Sequence, residues 1–85
     1  MIYRLSTHAR QEMERRGVPL SWVEAILENP DQITPERGTL RAYQSKRDIG
    51  GKMYLVRVIV DDNANPTLVV TVYRTTKIEK YWNEP

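Results

Sequence analysis

The nine residues Lys52 to Val60 constrain this chain most. Strand periodicity puts Tyr54, Val56, Val58 and Val60 on one face of that run, and Met53, Leu55, Arg57 and Ile59 on the other. A run this apolar on both faces belongs inside a sheet, with a neighbour at each edge and cover on each side. Arg57 is the exception and needs a reason. Its guanidinium either lies over the sheet into water or pairs with an acid such as Asp61 or Glu12.

Gly50-Gly51, just before the run, reads as a hairpin turn, because both residues tolerate positive φ. The arm that precedes it, Thr39 to Arg47, alternates, with Arg41, Tyr43, Ser45 and Arg47 on one face and Leu40, Ala42, Gln44 and Lys46 on the other. After the polar turn Asp61 to Pro66, Thr67 to Thr75 forms the last clear strand. Alternation there sets Leu68, Val70 and Val72 against Val69, Thr71, Tyr73 and Thr75, so the hydroxyl-bearing face is expected to stay open. Asp31 to Thr34 is expected to be a short edge segment. Thr76 to Trp82 is a short helix or an extended strand whose aromatics argue that it docks.

The first third has helical spacing instead. Ser6 or Thr7 caps a helix over Thr7 to Arg16, Gly17 ends it in the left-handed region, and Pro19 prevents its continuation. Ser21 with Glu24 reads as a capping box opening a second helix, which Asn29-Pro30 closes. Met1 to Leu5 is a brief strand or a lead-in. The expected architecture is a single α+β domain over residues 1–85, two N-terminal helices packed on an antiparallel sheet of three to four strands. Parallel pairing is not expected, because both turns are too short for crossovers.

Composition then narrows the chemistry. There is one histidine and no cysteine, and no carboxylates cluster at ligand spacing, so a structural zinc is excluded and no metal is expected. No glycine-rich phosphate loop or nucleophile elbow is present, and no cofactor is implied. No stretch approaches the roughly 20 apolar residues that span a bilayer, so a soluble, cytoplasmic protein without membrane contact is expected. Residues 1–36 carry four basic and six acidic side chains, whereas residues 37–85 carry nine basic and five acidic. The second part is therefore the better candidate for an anionic partner, although a solvated sheet surface has the same composition.

What remains is a metal-independent set of one histidine, several arginines and tyrosine or threonine hydroxyls. Cleavage of RNA through its own 2′-hydroxyl needs these groups: a base, an acid, and fixed cations for the charge on phosphorus. His8 shares a helical stripe with Glu12 and Arg15, and a histidine can serve either proton role. It also has an ordinary task available, pairing with Glu12 one turn on. A second proton carrier would come from Glu12, Tyr73 or a lysine such as Lys46 or Lys77.

His8-Ala9, Met13, Arg15 or Arg16 with Gly17-Val18, Trp22-Val23-Glu24 and Asn29-Pro30 resemble the opening of a small bacterial domain family of unknown function. Its closing signature is similar to Thr71-Val72-Tyr73-Arg74-Thr75-Thr76-Lys77-Ile78 followed by Lys80-Tyr81-Trp82. That family is grouped by fold with RelE/ParE-like toxins and with barnase-like and colicin-like ribonucleases. The resemblance implies a twisted antiparallel sheet, activity on RNA, and a cognate antitoxin protein as partner. By position it assigns the helix-one histidine to His8, the helix-end arginine to Arg15 or Arg16, the strand arginine to Arg57, and the last-strand hydroxyls to Thr71 and Tyr73. The resulting expectation is an endoribonuclease with His8, Arg57 and Tyr73 catalytic, and with Arg15, Arg41, Lys46, Thr71, Arg74, Lys77 and Tyr81 holding substrate. The alternative is a non-catalytic module that binds protein or RNA.

Overall fold

A computed structural model describes residues 1–84. Strand β1 (Tyr3–Leu5) leads into helices α1 (Thr7–Arg16) and α2 (Leu20–Glu28). There follow β2 (Gln32–Pro35), β3 (Arg41–Ile49), β4 (Lys52–Asp61), β5 (Thr67–Thr75) and the short helix α3 (Ile78–Tyr81). The strands form one five-stranded sheet in the order β1-β5-β4-β3-β2. As its composition requires, β4 is central, paired antiparallel with β3 and β5. Gly50 and Gly51 turn the hairpin at φ 61° and 86°, and Ile49 faces Lys52 across it.

The sheet departs from the expected three to four antiparallel strands. It is mixed, because β1 pairs parallel with β5, Tyr3 to Leu5 facing Thr67 to Val69. The short turns do not forbid this, since the connection from β1 to β5 runs through every intervening helix and strand rather than through one of those turns. The edge segment expected before β3 is the strand β2, whose Ile33 lies opposite Tyr43.

One face of the sheet is covered by α1 and α2. Ala9 and Met13 from α1, and Val23, Ile26 and Leu27 from α2, pack on Val56, Val58, Val60, Val69 and Val72. Fully burying side chains of this kind stabilises a fold by about 1.5–3 kcal/mol each, so this layer is the core. Val69 and Val72 both reach it because Thr71 pairs with Ile59 while Val69 pairs with Val60, which leaves Val70 as an extra residue. The bulge corrects the simple alternation, which would have put Val70 and Val72 on one face. Ser6 accounts for it locally: its hydroxyl donates to the Val70 carbonyl (2.8 Å), its backbone N–H donates to the Val69 carbonyl (3.0 Å), and its Oγ accepts from the Ala9 N–H (2.9 Å). One side chain thus caps α1 and fastens it beside β5.

Gly17 ends α1 at φ 64°. The expected capping box on α2 does not form. Pro19 is the N-cap, its carbonyl accepts from Trp22 and Val23, and Ser21 falls inside the first turn. Among the described residues no helix is long and apolar enough to cross a membrane.

Candidate functional site

The sheet face opposite α1 and α2 carries Thr34, Gln44, Arg57 and Tyr73, one each from β2, β3, β4 and β5. Gln44 stands directly across from Arg57, and Arg57 across from Tyr73. Arg57 is 2% exposed. Its Nε donates to Gln44 Oε1 at 2.7 Å, and its Nη1 donates to Tyr73 Oη at 2.6 Å and to Glu36 Oε1 at 3.1 Å. Nη2 donates to Thr34 Oγ1 at 3.3 Å. Four of the five N–H donors of a guanidinium are therefore taken. The charge is balanced by Glu36 rather than by Asp61 or Glu12.

The chain after β5 folds back over this arginine. The ring of Tyr81 lies 4.3 Å from the guanidinium carbon and meets Tyr73 edge-on, with centroids 6.2 Å apart. Two glutamines hold the segment in place. Gln44 Nε2 donates to the Tyr81 carbonyl (3.1 Å) and to Gln32 Oε1 (2.9 Å). Gln32 in turn donates to the Asn83 carbonyl (2.7 Å) and accepts from the Asn83 N–H (3.0 Å). The hydroxyl face expected to be open is thus capped at Tyr73, and the tail is a short helix. Burial pushes the Tyr73 phenol above its usual range; the Arg57 charge pulls it down, and Tyr81 and Glu36 push it further up. At neutral pH the phenol keeps its proton. Its oxygen accepts from Arg57, so that proton is left to donate elsewhere.

Of the residues expected to act together, Arg57, Tyr73 and Tyr81 are in contact. Lys46 borders them, its Nζ 4.1 Å from the Trp82 ring. Thr71 is on the same face, half-buried opposite Ile59. Arg41 is ion-paired with Asp62, and Arg74, opposite Val56 and so on the helix side of the sheet, lies 4.9 Å from the Tyr54 ring. Lys77 is exposed just before α3.

Helix α1 covers the other face, and only the side chain of its last residue, Arg16, comes near Tyr73. The Arg16 guanidinium lies 6.0 Å from the Tyr73 ring. His8 is exposed on the first turn, with no hydrogen bond or ion pair among the described residues. Eight residues separate it from Arg16, about 12 Å of helix rise. Glu12 does not pair with His8; it accepts from Arg15 Nε and Nη2 (both 2.8 Å) and from Arg16 Nε (3.1 Å), which holds its carboxyl down at about 2. Among the described residues no group of histidines and carboxylates is placed to hold a metal ion.

Sequence reasoning missed Thr34, Gln32, Glu36 and Gln44, whereas the docking of the Tyr81 and Trp82 rings was expected. One signal was present for Gln44. A two-residue turn at Gly50-Gly51 that pairs Ile49 with Lys52 also pairs Gln44 with Arg57. No curated protein and no solved structure matches the chain. A family model described as a domain of unknown function, DUF4258, matches residues 5–74, a span that includes Arg57 and Tyr73 and stops before α3. The match covers most of the chain, which therefore belongs to the DUF4258 family.

Proposed function

We propose that the protein binds single-stranded RNA across the Arg57 face. The observation that carries this reading is the alternation of cations and rings there: Arg16, Tyr73, Arg57 and Tyr81 in succession, flanked by Lys46 on Trp82. Rings beside cations give unpaired bases a stacking surface and give the backbone a counter-charge, without need of a particular sequence. The test is anisotropy of a labelled single-stranded RNA titrated with protein at several salt concentrations. Trp82→Ala is expected to weaken binding by fivefold to a hundredfold or so, as loss of one stacking surface does. Lys46→Ala and Lys80→Ala are each expected to lower the slope of log affinity against log salt by about 0.7. Absence of binding at low salt, or binding indifferent to all three substitutions, refutes the reading.

A second reading, a metal-independent ribonuclease toxin restrained by a cognate antitoxin, is favoured by the Tyr73 phenol bonded to Arg57. A proton carrier beside a fixed cation is what attack by the 2′-hydroxyl requires. His8 would serve it only if the RNA path runs along α1 from Tyr73. The assay is cleavage of RNA but not DNA in the presence of a metal chelator. His8→Ala is expected to slow cleavage about a hundredfold if it moves a proton. Unchanged cleavage removes His8 from the mechanism, and binding without any cleavage leaves the first reading alone.

A further inference from the structure

We infer that the hollow above Arg57 reads a guanine base, an inference that rests on the RNA-binding reading above. The hollow has a volume of about 390 Å³, and its lining includes Glu36, Arg57, Lys80, Tyr81, Trp82 and Asn83. That size is in the range of small-ligand sites. Glu36 is oriented within it by two bonds, its backbone N–H to the Leu40 carbonyl (2.9 Å) and its Oε1 to Arg57. Its side chain stays 26% exposed, and its Oε2 has no partner among the described residues. A positioned carboxylate in a hollow that Tyr81 and Trp82 also line is a site for a flat ligand with N–H donors.

Charge and hydrogen-bond pattern decide which ligand. A cation is opposed, because Arg57 and Lys80 line the hollow and Lys46 sits on the Trp82 ring at its edge. A neutral base is not opposed, and the phosphates attached to it are attracted. A carboxylate only accepts hydrogen bonds, so the matching base is the one with two adjacent donors and no acceptor between them. Guanine presents N1–H beside its 2-amino group. Adenine and cytosine place a single amino group next to a ring acceptor, and uracil flanks its one N–H with two carbonyls. Single-stranded RNA is commonly read in this manner, with a splayed base held by its Watson–Crick edge between side chains.

The test uses labelled oligouridines with one central guanosine, inosine or adenosine, titrated with the full chain and followed by anisotropy. The guanosine oligomer is expected to bind about tenfold or more tightly than the adenosine one. Inosine, which lacks only the 2-amino group, is expected to lose most of that advantage. Glu36→Gln is expected to abolish the preference while binding of all-uridine RNA persists, since the glutamine carbonyl still accepts from Arg57. Equal binding of the three central bases overturns the guanine site and leaves RNA binding standing. Failure of every oligomer to bind overturns both. The inosine comparison needs no variant, so instability of Glu36→Gln does not protect the inference.

Discussion

Replacing Arg57 by methionine tests whether this arginine is the tie between the sheet and its tail. The substitution preserves approximate volume, so the loss is polar rather than a cavity. It orphans Gln44 Oε1, on a residue with no exposure, and Thr34 Oγ1, on a residue 8% exposed. Each buried acceptor left unpaired costs about 1–3 kcal/mol. Glu36 and Tyr73 are part-exposed and recover some hydration, so they are left out of the sum. The total agrees with the roughly 3–5 kcal/mol observed when one partner of a buried ion pair is removed. A chain of this length has about 4–13 kcal/mol of stability in all. Taking about 3 kcal/mol, the melting temperature should fall by about 12–24 °C. The control is Arg41→Met, which breaks an ion pair with Asp62 whose side chains are 56% and 22% exposed. That pair is worth at most about 1 kcal/mol, and its loss should shift melting by only a few degrees. The assay is thermal unfolding by circular dichroism, with tail docking followed by amide exchange at Asn83. Equal shifts for the two variants would refute the assignment of Arg57 as a structural hub. The figure measures the cost of stranding its partners, and an apolar replacement of the whole network would cost less.

Ser6→Ala removes both the cap on Ala9 and the bond to Val70, and is expected to cost about 1–2 kcal/mol, read as a lower denaturant midpoint with unchanged slope. Glu12 gives a pH signature. Its folded pKa, about 2, lies below the ordinary 4.5, so the stability it contributes is complete above 4.5 and is lost as pH falls towards 2. Glu12→Gln should flatten thermal stability against pH in that window, and added salt should shrink the difference, since Arg15 is exposed. An unchanged acid limb in the variant would mean that the Arg15–Glu12–Arg16 cluster does not persist in solution.

How much of the fold was legible follows from which interactions are local. Helix α1 was readable from Ser6 to Gly17 because a cap and a left-handed stop are written in adjacent residues. The β3–β4 hairpin was readable because a two-residue turn fixes its register. The β4–β5 connection is longer and fixes none, so the bulge at Val70 was invisible: the hydroxyl that bonds to its carbonyl belongs to Ser6, 64 positions away. The parallel pairing of β1 was invisible for the same reason. Three residues have too little pattern to declare a strand, and their partner lies at the far end of the chain.

The candidate site was legible only as an anomaly. Arg57 announced itself as a charge in an apolar strand, but its partners come from three other stretches, Thr34 with Glu36, Gln44, and Tyr73, and no local period links those stretches to it. Extending the hairpin register from Ile49–Lys52 leads to Gln44 without any structure. It also changes how Arg57 is read: an arginine opposite a polar side chain, in a strand buried on both faces, is held rather than free. With four of its five donors spent on Gln44, Glu36, Tyr73 and Thr34, the RNA contact proposed above would fall to the groups around it. The exposed cations Lys46 and Lys80 and the free oxygen of Glu36 then become the parts of the face where substitution separates function from folding.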